Sequence, residues 1–185
     1  RDLFVNDTVF LFHNKSQIKN GPGKGSGEKI PKEKIPEFKK LKKIENWRRK
    51  LDDLYNSPFD LDNHKWKTVE HYYQGSKYKK GYPDYYLNFS LDSESDISED
   101  IELAKKKGSK SGQDSKVKID PDFYGERSVQ EKESAIFAKF DQHENLKNML
   151  IQTYPAKLMH FKRGKKPTLA KELLMAGRSA TFGTR

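Results

Sequence analysis

From Pro36 onward apolar residues recur every three or four positions, at Phe38, Leu41, Ile44, Trp47, Leu51 and Leu54. That spacing predicts one long amphipathic helix with lysines and arginines on its outer face. Upstream, Thr8-Val-Phe-Leu-Phe12 is a β-branched and aromatic run that predicts a strand. Between them, Asn20-Gly-Pro-Gly-Lys-Gly-Ser-Gly-Glu28-Lys29-Ile30-Pro31 predicts a flexible loop. Turn residues at Asn56–Asn63 lead through Lys65-Trp66-Lys67 into a helix capped by Thr68. Gly81-Tyr-Pro-Asp predicts its stop, and Tyr85–Leu91 fits either a helical continuation or a strand. A short helix around Ile101–Lys107 is expected between mobile loops. Ser128 with Glu131 has the form of a capping box, opening a helix through Ile136 and Phe140. After a break at Asp141–Glu144, Leu146, Met149 and Leu150 mark a further helix, and Leu169–Met175 marks the last. From Arg178 the chain reads as frayed. The expected fold is α+β: a single, mostly helical domain over residues 1–185 with a small β-sheet. Flexible loops are expected at about 15–34 and 92–118, with a frayed tail at 179–185.

A chain of 185 residues suits one domain with a real core. Only 33% of the residues are hydrophobic and 35% are charged, which points to solvated loops, but 11 Phe, 9 Tyr and 2 Trp argue against wholesale disorder. The absence of cysteine removes disulfides, thiolate nucleophiles and Cys-ligated zinc, and fits a reducing compartment. No apolar run approaches the roughly 20 residues of a membrane span, and no signal-peptide pattern opens the sequence. A soluble intracellular protein of cytoplasm or nucleus is expected, monomeric and with no membrane partner. The net charge of +10 implies attraction to polyanions, although the same lysines also serve simply as a solvated surface. That choice applies to Lys39, Lys40, Lys42, Lys43, Arg48, Arg49 and Lys50, for which the solvated face is preferred.

The stretch Trp66-Lys-Thr-Val-Glu70-His71-Tyr72-Tyr73-Gln74-Gly75-Ser76-Lys77-Tyr78 concentrates a carboxylate, an imidazole, an amide and an amine among aromatics. On a helix Glu70, Gln74 and Lys77 fall within roughly 60° of one another, so their side chains can converge on one ligand. A lysine partly removed from water becomes a usable nucleophile, and a glutamate beside it can transfer protons. The plain rival is an i,i+7 pair on a charged surface, weakened by Val69, Tyr72, Tyr73 and Tyr78 on the surrounding faces. The Gly-rich loop has backbone N–H groups that could cradle phosphate but lacks P-loop spacing. His13, His64, His71, His143 and His160 are scattered, with no HExxH pattern and no carboxylate cluster suited to a metal. Asp120-Pro-Asp122-Phe-Tyr pairs two carboxylates with aromatics, and a turn with an Asp cap is its default reading.

Taken in order, three blocks resemble the NADAR (YbiA-like) family. Trp66-x-Thr-x-Glu70-His71-Tyr72-x-Gln74-x-x-Lys77-Tyr78 is similar to its central W-x-[ST]-x-E-H-x-x-Q-x-x-K-[FY] motif. Ala138-Lys139-Phe140-x-Gln142 through Ala156-Lys157-Leu158, and Leu173-Leu174-Met175-x-x-Arg178, resemble two further blocks. Met159-His160-Phe161-Lys-Arg-Gly-Lys-Lys-Pro stands where the bacterial branch has a W-G-x-G stretch. The Gly25–Pro31 insertion with Trp47-Arg48-x-x-Leu51 instead resembles the branch found in eukaryotes and large DNA viruses.

The resemblance implies a metal-free, cofactor-free N-glycosidase acting at an anomeric carbon. Its expected substrate is ADP-ribosylated guanine in DNA or RNA, with ADP-ribose as product. Alternatives are free nucleotide-like or riboflavin-pathway glycosides, or a non-catalytic ADP-ribose reader. The catalytic residues it implies are Glu70 and Lys77, with Lys29 as a second candidate amine or pyrophosphate contact. Trp47 and Tyr73 would stack on substrate, and Arg48 or Lys139 would touch phosphate. His71, Gln74 and Asp122 complete the expected substrate contacts.

Overall fold

A computed structural model of the chain describes residues 2–18 and 20–179. The tail expected to fray lies, from residue 180, outside the described residues. Alternating aromatic and β-branched positions put Thr8, Phe10 and Phe12 inward along strand β1 (Val5–Phe12). The loop that follows returns to β1, where Lys29 and Val9 exchange backbone hydrogen bonds of 3.1 and 2.9 Å. The long helix expected from Pro36 is instead a 3₁₀ turn (Lys32–Phe38), α1 (Lys39–Lys42) and α2 (Trp47–Lys50). The break falls at Asn46, whose φ of 65° is left-handed, a conformation that asparagine tolerates better than most residues. The apolar period still marks the inward face, since Phe38, Leu41, Trp47 and Leu51 are all buried.

Strands β2 (Phe59–Leu61) and β3 (His64–Trp66) make an antiparallel hairpin where only a turn was expected. Asp62 and Asn63 supply its two-residue loop, with φ of 54° and 64°, the pattern that matches strand twist. Helix α3 (Val69–Ser76) follows, then α4 (Pro83–Leu87), which makes the first part of the ambiguous Tyr85–Leu91 stretch helical and leaves Asn88–Ser90 as a turn. Helix α5 (Asp96–Glu99) takes part of a stretch expected as loop, while α6 (Ile101–Lys107) is the short helix expected there; each is opened by a side-chain cap, Ser95 and Asp100 respectively. Helix α7 (Glu126–Asp141) begins two residues before Ser128, so the expected capping box does not form. Ser128 Oγ donates back to the Gly125 carbonyl (2.7 Å) instead. Helix α8 (Glu144–Gln152), β4 (Ala156–His160), β5 (Thr168–Leu169) and α9 (Lys171–Gly177) complete the order.

The fold is α+β, mostly helical with small sheets. Two compact units organise it: one takes the residues up to Tyr55 and from Phe140 onward, and the other is the continuous Asn56–Lys139. In the first, β4 lies between β1, which it pairs in parallel, and β5, which it pairs antiparallel. Phe10 sets its ring edge-on to Phe38 (5.1 Å) and Trp47 (5.3 Å). Arg178 is anchored here rather than frayed: its guanidinium donates to the carbonyls of Leu3 and Ala156 and to Thr153 Oγ, each at 3.0 Å. The second unit is built on aromatics. Trp66 meets Tyr72 edge-on at 5.0 Å and donates its indole N–H to the Leu61 carbonyl (2.9 Å), while Tyr78 packs on Tyr85 (4.7 Å) and Phe89. Edge-on aromatic pairs contribute about 0.5–1.5 kcal/mol beyond their burial, so the base of α3 is held firmly.

Candidate active site

Thr68 starts α3 as expected, its hydroxyl accepting the His71 backbone N–H (3.0 Å). The His71 ring then closes the cap. Its Nε2 faces the Ile97 carbonyl (3.0 Å), which can only accept, so the proton sits on Nε2 and Nδ1 accepts from the Thr68 hydroxyl (2.9 Å). Burial lowers the imidazole pKa, favouring this neutral form. His71 is fully buried with both ring nitrogens engaged inside the protein, an arrangement that positions α3 and leaves the ring no open nitrogen for the substrate contact expected of it.

One turn on, Gln74 Nε2 donates to Glu70 Oε1 (2.7 Å), which fixes the carboxylate from its i+4 neighbour. The other end of the amide, Gln74 Oε1, is buried without a partner among the described residues. Lys77, at the C-cap, is only 7% exposed and donates its ammonium to the Gly108 carbonyl (3.1 Å) after α6. Burial lowers its pKa, Lys132 adds to the lowering, and the Glu70 carboxylate pulls partly back. Carboxylate, amide and amine therefore share one face of α3, as the spacing implied.

Gly108 has to be glycine for this arrangement. A Cβ there would stand 2.8 Å from Gln74 Cβ and collide with its amide oxygen. Gly108→Ala is expected to displace Gln74 and loosen both Glu70 and Lys77. Overpacking of this kind costs about 1–3 kcal/mol, readable as a lowered thermal midpoint.

Aromatic rings border the amine. Lys77 Nζ lies 5.7 Å from the centroid of Tyr73 and 6.0 Å from that of Tyr124, and Lys132 Nζ lies 4.5 Å from Tyr73. Tyr73 itself leans edge-on against Phe123 (5.4 Å). Tyr124 is 64% exposed and does not stand out in the sequence, where it reads as the tail of an Asp-Pro turn.

Asp120 and Asp122 separate in role. Asp120 is buried and accepts the backbone N–H groups of Lys80 and Gly81, both at 2.9 Å, which stops the chain after α3. Its own N–H donates to the Lys77 carbonyl (2.7 Å). Asp122 belongs to a different place, a polar cleft of about 620 Å³ with Lys80, Arg127, Glu131 and their neighbours. It pairs with Lys80 (2.6 Å) and Arg127 (2.9 Å), which hold its carboxyl below the usual range.

Three expected residues lie in the other unit, and there the Gly-rich loop proves to be fastened. Glu28, its side chain fully buried, accepts backbone N–H groups from Leu11 (2.9 Å), Gly23 (3.1 Å) and Gly25 (3.0 Å). Arg48 meets the same carboxylate in a fork through Nε (2.9 Å) and Nη2 (2.6 Å), and also donates to the Asn20 and Gly21 carbonyls. Arg48 is thus a buried clasp whose charge is already balanced by Glu28, where a phosphate contact was expected. Trp47 is 1% exposed, packed on Phe10 and covered by the Arg48 guanidinium at 4.2 Å, so it offers no open stacking face. Lys29 is solvent-exposed and held by its backbone on β1, without the burial that distinguishes Lys77. Lys139 is buried near the end of α7. Among the described residues no three His, Asp or Glu side chains group in a way that could hold a metal ion. No described helix is long and apolar enough to cross a membrane.

Fold and site together define an α+β protein carrying a buried amine, an amide and a carboxylate on one short capped helix. The same fold occurs in the E. coli protein YbiA, solved by NMR, with a TM-score of 0.54 and 19% sequence identity over 95% of this chain and 84% of that one. No family model matches the sequence, and no curated protein does.

Proposed function

We propose that the protein is an N-glycosidase that hydrolyses ADP-ribose from guanine bases of DNA or RNA. The observation that carries the reading is Lys77: an amine taken out of water, pKa lowered by burial, on the same helix face as the Glu70 carboxylate. The YbiA-like fold and the motif resemblance support the same chemistry. Lys77 Nζ, as the free amine, attacks the anomeric carbon of the ADP-ribose and gives up a proton to Glu70. The bond to guanine breaks, and the departing nitrogen takes a proton. Positive charge that builds at the anomeric carbon is stabilised by the Glu70 carboxylate. The sugar ring opens to a Schiff base on Lys77. Water adds to it, the C–N bond breaks, and free ADP-ribose leaves with the amine restored. Gln74 holds Glu70 in place with its N–H. Tyr73 and the exposed Tyr124 supply ring faces for a base.

Incubation with an ADP-ribosylated guanine oligonucleotide, without added metal, is expected to release free ADP-ribose. Borohydride added during turnover is expected to fix a sugar adduct on Lys77, located by mass spectrometry. Tight binding without release would leave a reader of ADP-ribose, and release without any trappable adduct would replace the Schiff base with direct attack by water.

A further inference from the structure

The β4–β5 hairpin ends in Phe161-Lys162-Arg163-Gly164-Lys165-Lys166-Pro167, and every residue of that tip is exposed. The turn is closed by Lys165 N–H donating to the Lys162 carbonyl (3.3 Å), with Gly164 at a φ of 71°. Lys162, Arg163, Lys165 and Lys166 are therefore gathered on one short turn, and none of them forms an ion pair among the described residues. The local sequence offers no neutralising partner either, since no acidic residue occurs between Glu144 and Glu172. Several cations of the second unit, Lys79, Lys80, Lys107 and Arg127, are instead each paired to carboxylates. At the base of the turn Phe161 is 42% exposed, its ring held edge-on against His13 at 5.7 Å. Four uncompensated cations cost self-repulsion in the free protein, and a polyanion relieves it.

We propose that this hairpin tip is a nucleic-acid contact that grips the phosphate backbone through its four cations and stacks a base on Phe161. The choice of nucleic acid as the polyanion rests on the proposed function, but the contact is independent of chemistry at Lys77. An aromatic beside clustered cations is the combination single strands bind without sequence preference. Arginine adds planar, two-point recognition of phosphate that lysine alone does not.

The test measures binding of an unmodified single-stranded 20-nucleotide DNA across a salt series, with wild type and K162Q/R163Q/K165Q/K166Q. The slope of log affinity against log salt is expected to become shallower by about 0.7 for each phosphate that the variant no longer neutralises, with affinity at low salt falling roughly tenfold or more. F161A is expected to weaken binding while leaving the slope unchanged. The four positions are exposed on a turn, so the thermal midpoint should hold; the milder K165Q/K166Q variant gives the same direction of change if it does not. A comparison variant, K39Q/K40Q/K42Q/K43Q on and beside α1, is expected to change the slope less. An equal effect there, or an unchanged slope in the hairpin variant, would overturn the proposal, as would tighter binding to vesicles of anionic phospholipid than to DNA. Because the probe is unmodified DNA, failure of the glycosidase reading would leave this result standing.

Discussion

Lys77→Ala is expected to lower ADP-ribose release by roughly 10⁴- to 10⁶-fold, the scale on which loss of a covalent nucleophile is felt. Glu70→Gln, which keeps the bond to Gln74 sterically feasible but removes the charge, is expected to cost about 10²- to 10⁴-fold. A second readout separates nucleophile from scaffold. Burial holds the Lys77 pKa below 10.5 in the folded state, so the unfolded chain binds more protons between the two values. Stability therefore rises with pH through that window and carries the full penalty below it. Lys77→Met is accordingly expected to be more stable than wild type near neutrality, with the gap closing as pH climbs toward 10.5. Turnover follows the same titration: the free amine forms as pH rises, and the rate should level off at lower pH than an exposed lysine would allow. A Lys77→Ala enzyme that retained wild-type turnover would sink the assignment and return attention to Lys29.

The second large effect belongs to the other unit. Arg48→Ala strips the buried Glu28 carboxylate of its forked partner and leaves it facing three backbone N–H groups alone. Removing one member of a buried ion pair costs about 3–5 kcal/mol. For a chain of this size that corresponds to a fall in thermal midpoint of roughly 6–20 °C. Arg48→Lys is expected to recover only part of it, because a lysine cannot form the fork. A phosphate-binding arginine would behave oppositely, with weaker substrate binding and an unmoved midpoint.

Contrasts between neighbours on the chain explain what sequence can and cannot reveal. The Thr68 cap and the Glu70–Gln74–Lys77 face are legible because each depends on residues within one or two helical turns. Arg48 misleads because its partner, Glu28, is twenty residues away in a loop whose glycines suggest only flexibility. Asn46 is hidden because an apolar period continues smoothly across a residue whose own backbone turns left-handed. His71 looks available because a histidine beside a glutamate suggests chemistry, yet the Ile97 carbonyl that occupies its Nε2 has no local signature. β4 does not announce itself because five residues, Ala156–His160, carry too short an alternation to stand apart from a helix end. Tyr124 stays inconspicuous since exposure, which makes it useful, cannot be read from an aromatic in a turn.

The parallel pairing of β1 with β4 also sets a timetable. During synthesis β1 emerges about 150 residues before the strand it pairs with, roughly 8–30 s at 5–20 residues per second. Asn56–Lys139, a continuous stretch, is by then wholly synthesised. For that interval Val5–Phe12 has its inward Phe10 and Phe12 but no β4 partner, which makes it the segment for which a chaperone would have the longest opportunity.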